Sequence, residues 1–142
     1  QHPIYHYDIY GCYNGFKLES IAVVRISKHL DSSCLRIVDF YGDENFLYFI
    51  AANLMEIMYS DGHEYIDFIC LGLSKEIMLK AGFLKVNCNE KYIVIPNYFE
   101  PFVQSNITIS YFTDSQNLEN LRICKADGDQ DRPSSINNSE YS

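Results

Sequence analysis

Three carboxylates carry the strongest case for chemistry in this sequence. Asp39 and Asp67 sit inside the apolar runs Arg36-Ile37-Val38-Asp39-Phe40 and Tyr65-Ile66-Asp67-Phe68-Ile69, and Glu100 lies within Asn97-Tyr98-Phe99-Glu100-Pro101-Phe102. A carboxylate in apolar surroundings must find a cation or a donor, or its pKa climbs toward neutrality. A carboxylate tuned in this way can serve as a general base. For Asp39 and Asp67 the competing reading is a structural ion pair, with Arg25 and Arg36 as candidate partners, because buried charges are usually paired. His6 is a further candidate base, whereas His2, His29 and His63 are scattered over turns and strand ends. Asp127-Gly128-Asp129-Gln130-Asp131 places carboxylates at alternate positions, as loops for hard cations do. The turn glycine and closing glutamate of an EF-hand are missing, and Lys125 and Arg132 flank the run. A solvated acidic turn is therefore the default expectation, and no metal is expected.

The cysteines point away from metal and disulfide chemistry as well. Cys12, Cys34, Cys70, Cys88 and Cys124 are widely spaced, with no C-x-x-C pair. That spacing predicts reduced thiols, and Cys12, Cys34 and Cys70 read as small core residues within apolar runs. At 142 residues the chain suits one domain, and its 47% hydrophobic content can fill a core. A formal charge of −8 argues against nucleic acid and against an anionic membrane surface. No apolar run reaches the ~18 residues of a membrane span, so no membrane insertion is expected, and the reduced thiols lead to the expectation of a cytoplasmic protein. The start at Gln1-His2-Pro3 shows no leader pattern and reads as a processed protein or a piece of a longer one.

The elements that must position these groups follow from periodicity. Ile4 to Cys12 reads as a strand, Asn14-Gly15 as a hairpin turn, and Phe16 to Ile26 as an antiparallel return strand. After a turn at Asp31-Ser32-Ser33, Cys34 to Tyr41 is a third strand, broken by Gly42 and Asp43. Phe46, Ile50, Leu54 and Ile57 then recur every three or four residues, which predicts a helix over Glu44 to Tyr59 capped by Asp43. Tyr65 to Leu71 reads as one strand buried on both faces. A short helix follows, with Ser74 as N-cap, a Leu73/Met78 staple and Gly82 at its end. Phe83 to Val86 and Tyr92 to Ile95 predict two short strands, Ile107 to Phe112 a late one, and Leu121 to Cys124 another. The third strand, first helix and fourth strand make a βαβ unit, so the sheet is mixed. The tail after Pro133 reads as disordered.

This order, closed by Ala81-Gly82-Phe83, resembles the GNAT-type N-acetyltransferase fold from its second strand to its last, over roughly residues 4–96. The first strand and early helices of that fold are lacking. The runs Gln1-His2-Pro3, Arg36-Ile37-Val38-Asp39-Phe40, Pro96 to Phe102 and Lys125 to Pro133 are similar to a group of bacterial acetyltransferase-like proteins linked to cell-surface polysaccharide biosynthesis. The resemblance implies acetyl-CoA as acyl donor, with an amino sugar or nucleotide-sugar precursor as acceptor. Its pantetheine arm would lie between Cys34–Tyr41 and Tyr65–Leu71. Its pyrophosphate would rest on the backbone amides of Gly42, Asp43, Glu44, Asn45 and Phe46, where a helix start offers free N–H groups. Asp39, Asp67 or Glu100 would be the base.

Two positions depart from the family pattern. The loop of the form Q/R-x-x-G-x-G/A is replaced by Tyr41-Gly42-Asp43-Glu44-Asn45-Phe46, and Met78 stands where a general-acid tyrosine is usual. These departures carry the alternative, a non-catalytic binding or assembly module with a degenerate cofactor site. The expected layout is an acetyltransferase-like domain over residues 1–126, with its core at 4–96 and an extension at 97–126, then an acidic turn and tail at 127–142. Expected partners are a small-molecule substrate, a missing N-terminal half of the same protein, or a second copy in a homodimer.

Overall fold

The computed structural model describes residues 5–86, Asp114 and residues 121–128. Glu100, Cys88, Asp129, Asp131, the strands expected at Tyr92–Ile95 and Ile107–Phe112, and the tail lie outside the described residues. Within them the chain is a mixed α/β fold with a four-stranded mixed sheet and two helices.

Strands β1 (Asp8–Asn14), β2 (Lys17–His29) and β3 (Ser32–Gly42) run antiparallel, and β4 (Ile66–Phe68) joins β3 in parallel, giving the order β1-β2-β3-β4. The first turn differs by one residue from the sequence reading. Asn14 pairs with Lys17, so Gly15 and Phe16 occupy the tip, and Gly15 takes the positive φ of 60° that such a turn requires. A bulge leaves Val38 of β3 unpaired, because Val23 faces Asp39 while Val24 faces Ile37. The bulge has a packing purpose. It lets Leu35, Ile37 and Phe40 all join the one hydrophobic cluster, although an unbroken strand would send Ile37 and Phe40 to opposite faces.

Asp43 accepts a hydrogen bond from the Asn45 amide at 3.0 Å, as expected of a cap, and opens a single 3-10 turn at Glu44–Phe46. The α-helix proper, α1, is Leu47–Asp61, ending at Gly62 in the left-handed region. Its Leu47, Ile50, Ala51 and Leu54 pack against Ala22, Val24, Leu35, Ile37 and Phe40. Each fully buried leucine or isoleucine in this layer contributes about 1.5–3 kcal/mol.

The expected strand Tyr65–Leu71 is divided. Ile66–Phe68 pairs with β3, Ile69 belongs to neither ladder, and β5 (Cys70–Leu71) pairs instead with β6 (Ile123–Cys124) in a separate two-stranded sheet. The divided segment is half-buried rather than covered on both faces. Helix α2 is Lys75–Lys80; Ser74 precedes it with extended backbone but no side-chain cap bond. Leu73, Ile77 and Met78 lean on the core, so the expected staple residues both pack inward. Residues 83–86 form no ladder, a correction to the strand expected there.

Candidate functional site

The β3–β4 ladder positions the first of the three carboxylates. Arg36 and Asp67 are direct register partners on adjacent parallel strands. The Arg36 guanidinium donates from Nε to both Asp67 oxygens, at 2.8 and 3.0 Å, and from Nη2 to Oδ2. This is the bidentate fork that guanidinium and carboxylate favour. Arg36 is only 1% exposed. Burial works against its charge, but the Asp67 hydrogen bonds and charge prevail and raise its pKa. Both Asp67 oxygens therefore face a permanent cation, an arrangement that serves architecture first. Arg25 donates to Ser27 Oγ at 2.7 Å and stacks over the Tyr5 ring, with its guanidinium carbon 4.2 Å from the ring centroid.

Asp39 lies on the other side of the bulge. It is half-buried and accepts from the Phe40 amide at 2.8 Å. Its carboxylate, the Cys124 thiol and the Asp127 carboxylate place one ligand-type atom each within 4.8 Å of one another. Asp127 also accepts from the Cys124 amide at 2.6 Å, which closes the 3-10 turn Lys125–Asp127. Burial pushes the Cys124 thiol up to about 12, assisted by Asp39, Cys70 and Asp127. At neutral pH the thiol of this group keeps its proton. Nothing in the local sequence joins Asp39 to residues 124–127; only the long return of the chain does so.

The parallel strands part beyond the Ile37/Phe68 pair, and the opening is not empty. Residues 121–127 run into it. Ile123–Cys124 pair with β5, and the Cys124 sulfur meets the Phe40 backbone. Arg122 donates through Nη1 to the Gly42 carbonyl at 2.7 Å, and its Nη2 lies 3.6 Å from Glu44 Oε2. The Gly72 backbone lies so close to Leu121 that a Cβ there would overlap the Leu121 carbonyl oxygen.

The amides at the head of α1 are also engaged. Asp43 N–H donates to Glu19 O at 3.0 Å, Asn45 N–H to Asp43 Oδ1 at 3.0 Å, and Phe46 N–H to Asp43 O at 3.2 Å. The Asn45 backbone and side-chain donors hold the Asp43 carboxyl below its usual range. Glu44 turns away to accept from the Ser74 amide at 3.2 Å, tying α1 to the start of α2. The two acidic residues at this helix start thus satisfy backbone donors themselves. Of the histidines, His63 Nδ1 meets Ser33 Oγ at 2.8 Å, and His6 pairs with Asp8 at 3.2 Å on an exposed edge.

No family model, no curated protein and no solved structure matches the chain. Among the described residues no helix is long and apolar enough to cross a membrane.

The buried thiols give this region a pH signature. Burial pushes Cys34 and Cys70 up to about 11, above the ordinary thiol value of 9.0. A group whose pKa is raised by folding keeps its proton in the native state after the unfolded chain has lost it. Stability is therefore full below pH 9.0 and falls as pH climbs from there toward 11. For fully buried Cys34 the slope approaches about 1.4 kcal/mol per pH unit in that window. Urea midpoints followed from neutral pH upward should decline beyond pH ~9, and a midpoint constant to pH ~11 would contradict the burial of these thiols.

Proposed function

We propose that the chain is a binding or assembly module built on an acetyltransferase-like frame, rather than a working acyltransferase. One observation carries this reading: residues 121–127 occupy the opening between β3 and β5 where an acyl donor's arm would lie. The engaged amides of Asp43, Asn45 and Phe46 support it, since a pyrophosphate there would have to displace bonds the chain already makes. Met78, packed on the core, offers no proton to a departing thiolate.

The surface for assembly is the sheet face opposite α1 at the hairpin end. Ile9 (71% exposed), Tyr13 (63%) and Tyr41 (80%) stand out from it, and Leu18 lies beside Tyr13. An apolar, aromatic face of this kind marks a contact surface. Strand β1 is also the outer strand of the sheet, with an unshared edge among the described residues, so a second copy of the chain is the partner that fits. Calorimetry with acetyl-CoA at millimolar concentration should show no binding, and light scattering should show a dimer. Binding of acetyl-CoA by the native chain would overturn this reading.

A second reading, an acyltransferase acting on an amino sugar or nucleotide-sugar precursor in the bacterial cytoplasm, has its own support. Strands β3 and β4 are parallel, flank α1 and separate after three paired residues. In this reading residues 121–128 withdraw to admit acetyl-CoA, half-buried Asp39 is the base, and the amides from Gly42 to Phe46 receive the donor. The surface-polysaccharide role belongs to this reading and stands or falls with acetyl-CoA binding.

A further inference from the structure

Cys70 and Cys124 are far apart in sequence, yet they face each other directly across the β5–β6 ladder. Both are free thiols. Directly opposed residues of an antiparallel pair project from the same face. Their Cα atoms stand about 4.5 or about 5.5 Å apart, according to whether the pair is hydrogen-bonded. Both spacings lie inside the ~4.4–6.8 Å range that a disulfide spans. Their Cβ atoms, about 4.5–5.5 Å apart in such pairs, must draw closer to reach the ~3.5–4.5 Å of a relaxed bridge. A bridge formed this way is strained, and strained bridges are the readily reduced ones.

We propose that Cys70 and Cys124 form a redox dithiol, closing into a cross-strand disulfide when the chain meets a small disulfide oxidant such as oxidised glutathione. Cys70 is the more exposed of the two and attacks first. Its thiolate displaces one glutathione thiolate and forms a mixed disulfide at Cys70. The Cys124 thiolate then attacks the Cys70 sulfur and expels the second glutathione. One protein disulfide forms, one glutathione disulfide is consumed, and the two thiol protons end on two reduced glutathiones. Burial raises Cys70 to about 11 and Cys124 to about 12, so little thiolate exists at neutral pH. The rate should therefore climb about tenfold per pH unit while the pH stays below those values. The bridge would lock residues 121–127 in place beside β3, and this holds whether or not acetyl-CoA is ever bound.

The test is to incubate the folded full-length chain with oxidised glutathione at mildly alkaline pH and map its peptides without reduction. The expected product is a Cys70–Cys124 cross-link lighter by two hydrogens and free of glutathione. It should raise the thermal midpoint by roughly 5 °C or more and reverse on adding dithiothreitol. Cys70→Ser should leave no cross-link at Cys124 and no rise in midpoint. Stable glutathione adducts on both cysteines of the native chain would overturn the proposal. So would a bridge drawn to Cys12, Cys34 or Cys88, or an unoxidised pair after prolonged exposure.

Discussion

Asp67→Ala is expected to destabilise the fold by about 3–5 kcal/mol, because it leaves a guanidinium buried with its counter-charge removed. Arg36 is nearly inaccessible and directs Nε and Nη2 at the Asp67 carboxylate. No rearrangement of one side chain can return that charge to water, since Arg36 sits mid-strand in a β3 segment buried on both faces. The pair also fixes the offset of β4 along β3, so the loss should reach the short three-residue ladder itself. Urea denaturation at neutral pH measures it. Replacing both partners with apolar residues of similar size, Arg36→Met with Asp67→Leu, should recover most of the loss, as desolvated pairs elsewhere have done. A single-substitution cost below about 1 kcal/mol would mean that solvent reaches Arg36 and that the pair behaves like a surface ion pair.

Gly72→Ala is the second large effect. Gly72 has φ 89°, in a region that side-chain-bearing residues avoid, and its missing Cβ is what admits the Leu121 backbone. Backbone strain at such a position costs of order 1–3 kcal/mol, and the overlap with a carbonyl oxygen adds to it. We expect a total loss of at least about 3 kcal/mol if residues 121–127 hold their place. The chain has another way out. It can release that segment, giving up the Cys70/Cys124 and Leu71/Ile123 pairs while the main sheet survives. The two outcomes separate in one experiment, hydrogen exchange across residues 121–128 read beside the global urea midpoint. Release of the segment also tests the filled opening: the variant should then bind acetyl-CoA if the transferase reading holds, and remain inert if the module reading holds.

Where local physics decides a feature, the sequence displayed it. The β1–β2 hairpin, the β3 run, the amphipathic α1 and its cap at Asp43 all follow from periodicity and turn chemistry, and the parallel crossover follows from their order. Features set by distant pairing stayed hidden. Arg36 has two carboxylates within reach in the sequence, Asp39 on its own strand and Asp67 on the next; the choice of Asp67 depends on the β3–β4 offset and on the bulge at Val38. The division of Tyr65–Leu71 is equally non-local, because Cys70 and Leu71 leave the main sheet for a partner some fifty residues later. A strand was expected at Leu121–Cys124, but no local signal names its mate. Asp43 announces its capping role locally, whereas the role of Glu44, accepting from the Ser74 amide at the start of the next helix, needed coordinates.

The unpaired Val38 works as a spacer that stands outside the in-and-out count of β3. Loss of that one residue would close the bulge and leave Ile37, Asp39 and Phe40 in plain alternation against Val24, Val23 and Ala22, each keeping the face it has now. Related chains should therefore tolerate a one-residue gap at position 38 far better than a one-residue gap elsewhere in the paired part of the strand, where every side chain beyond it would change face. A gap at the bulge in an otherwise alignable sequence would signal a domain that keeps the same inner layer on an unbroken ribbon.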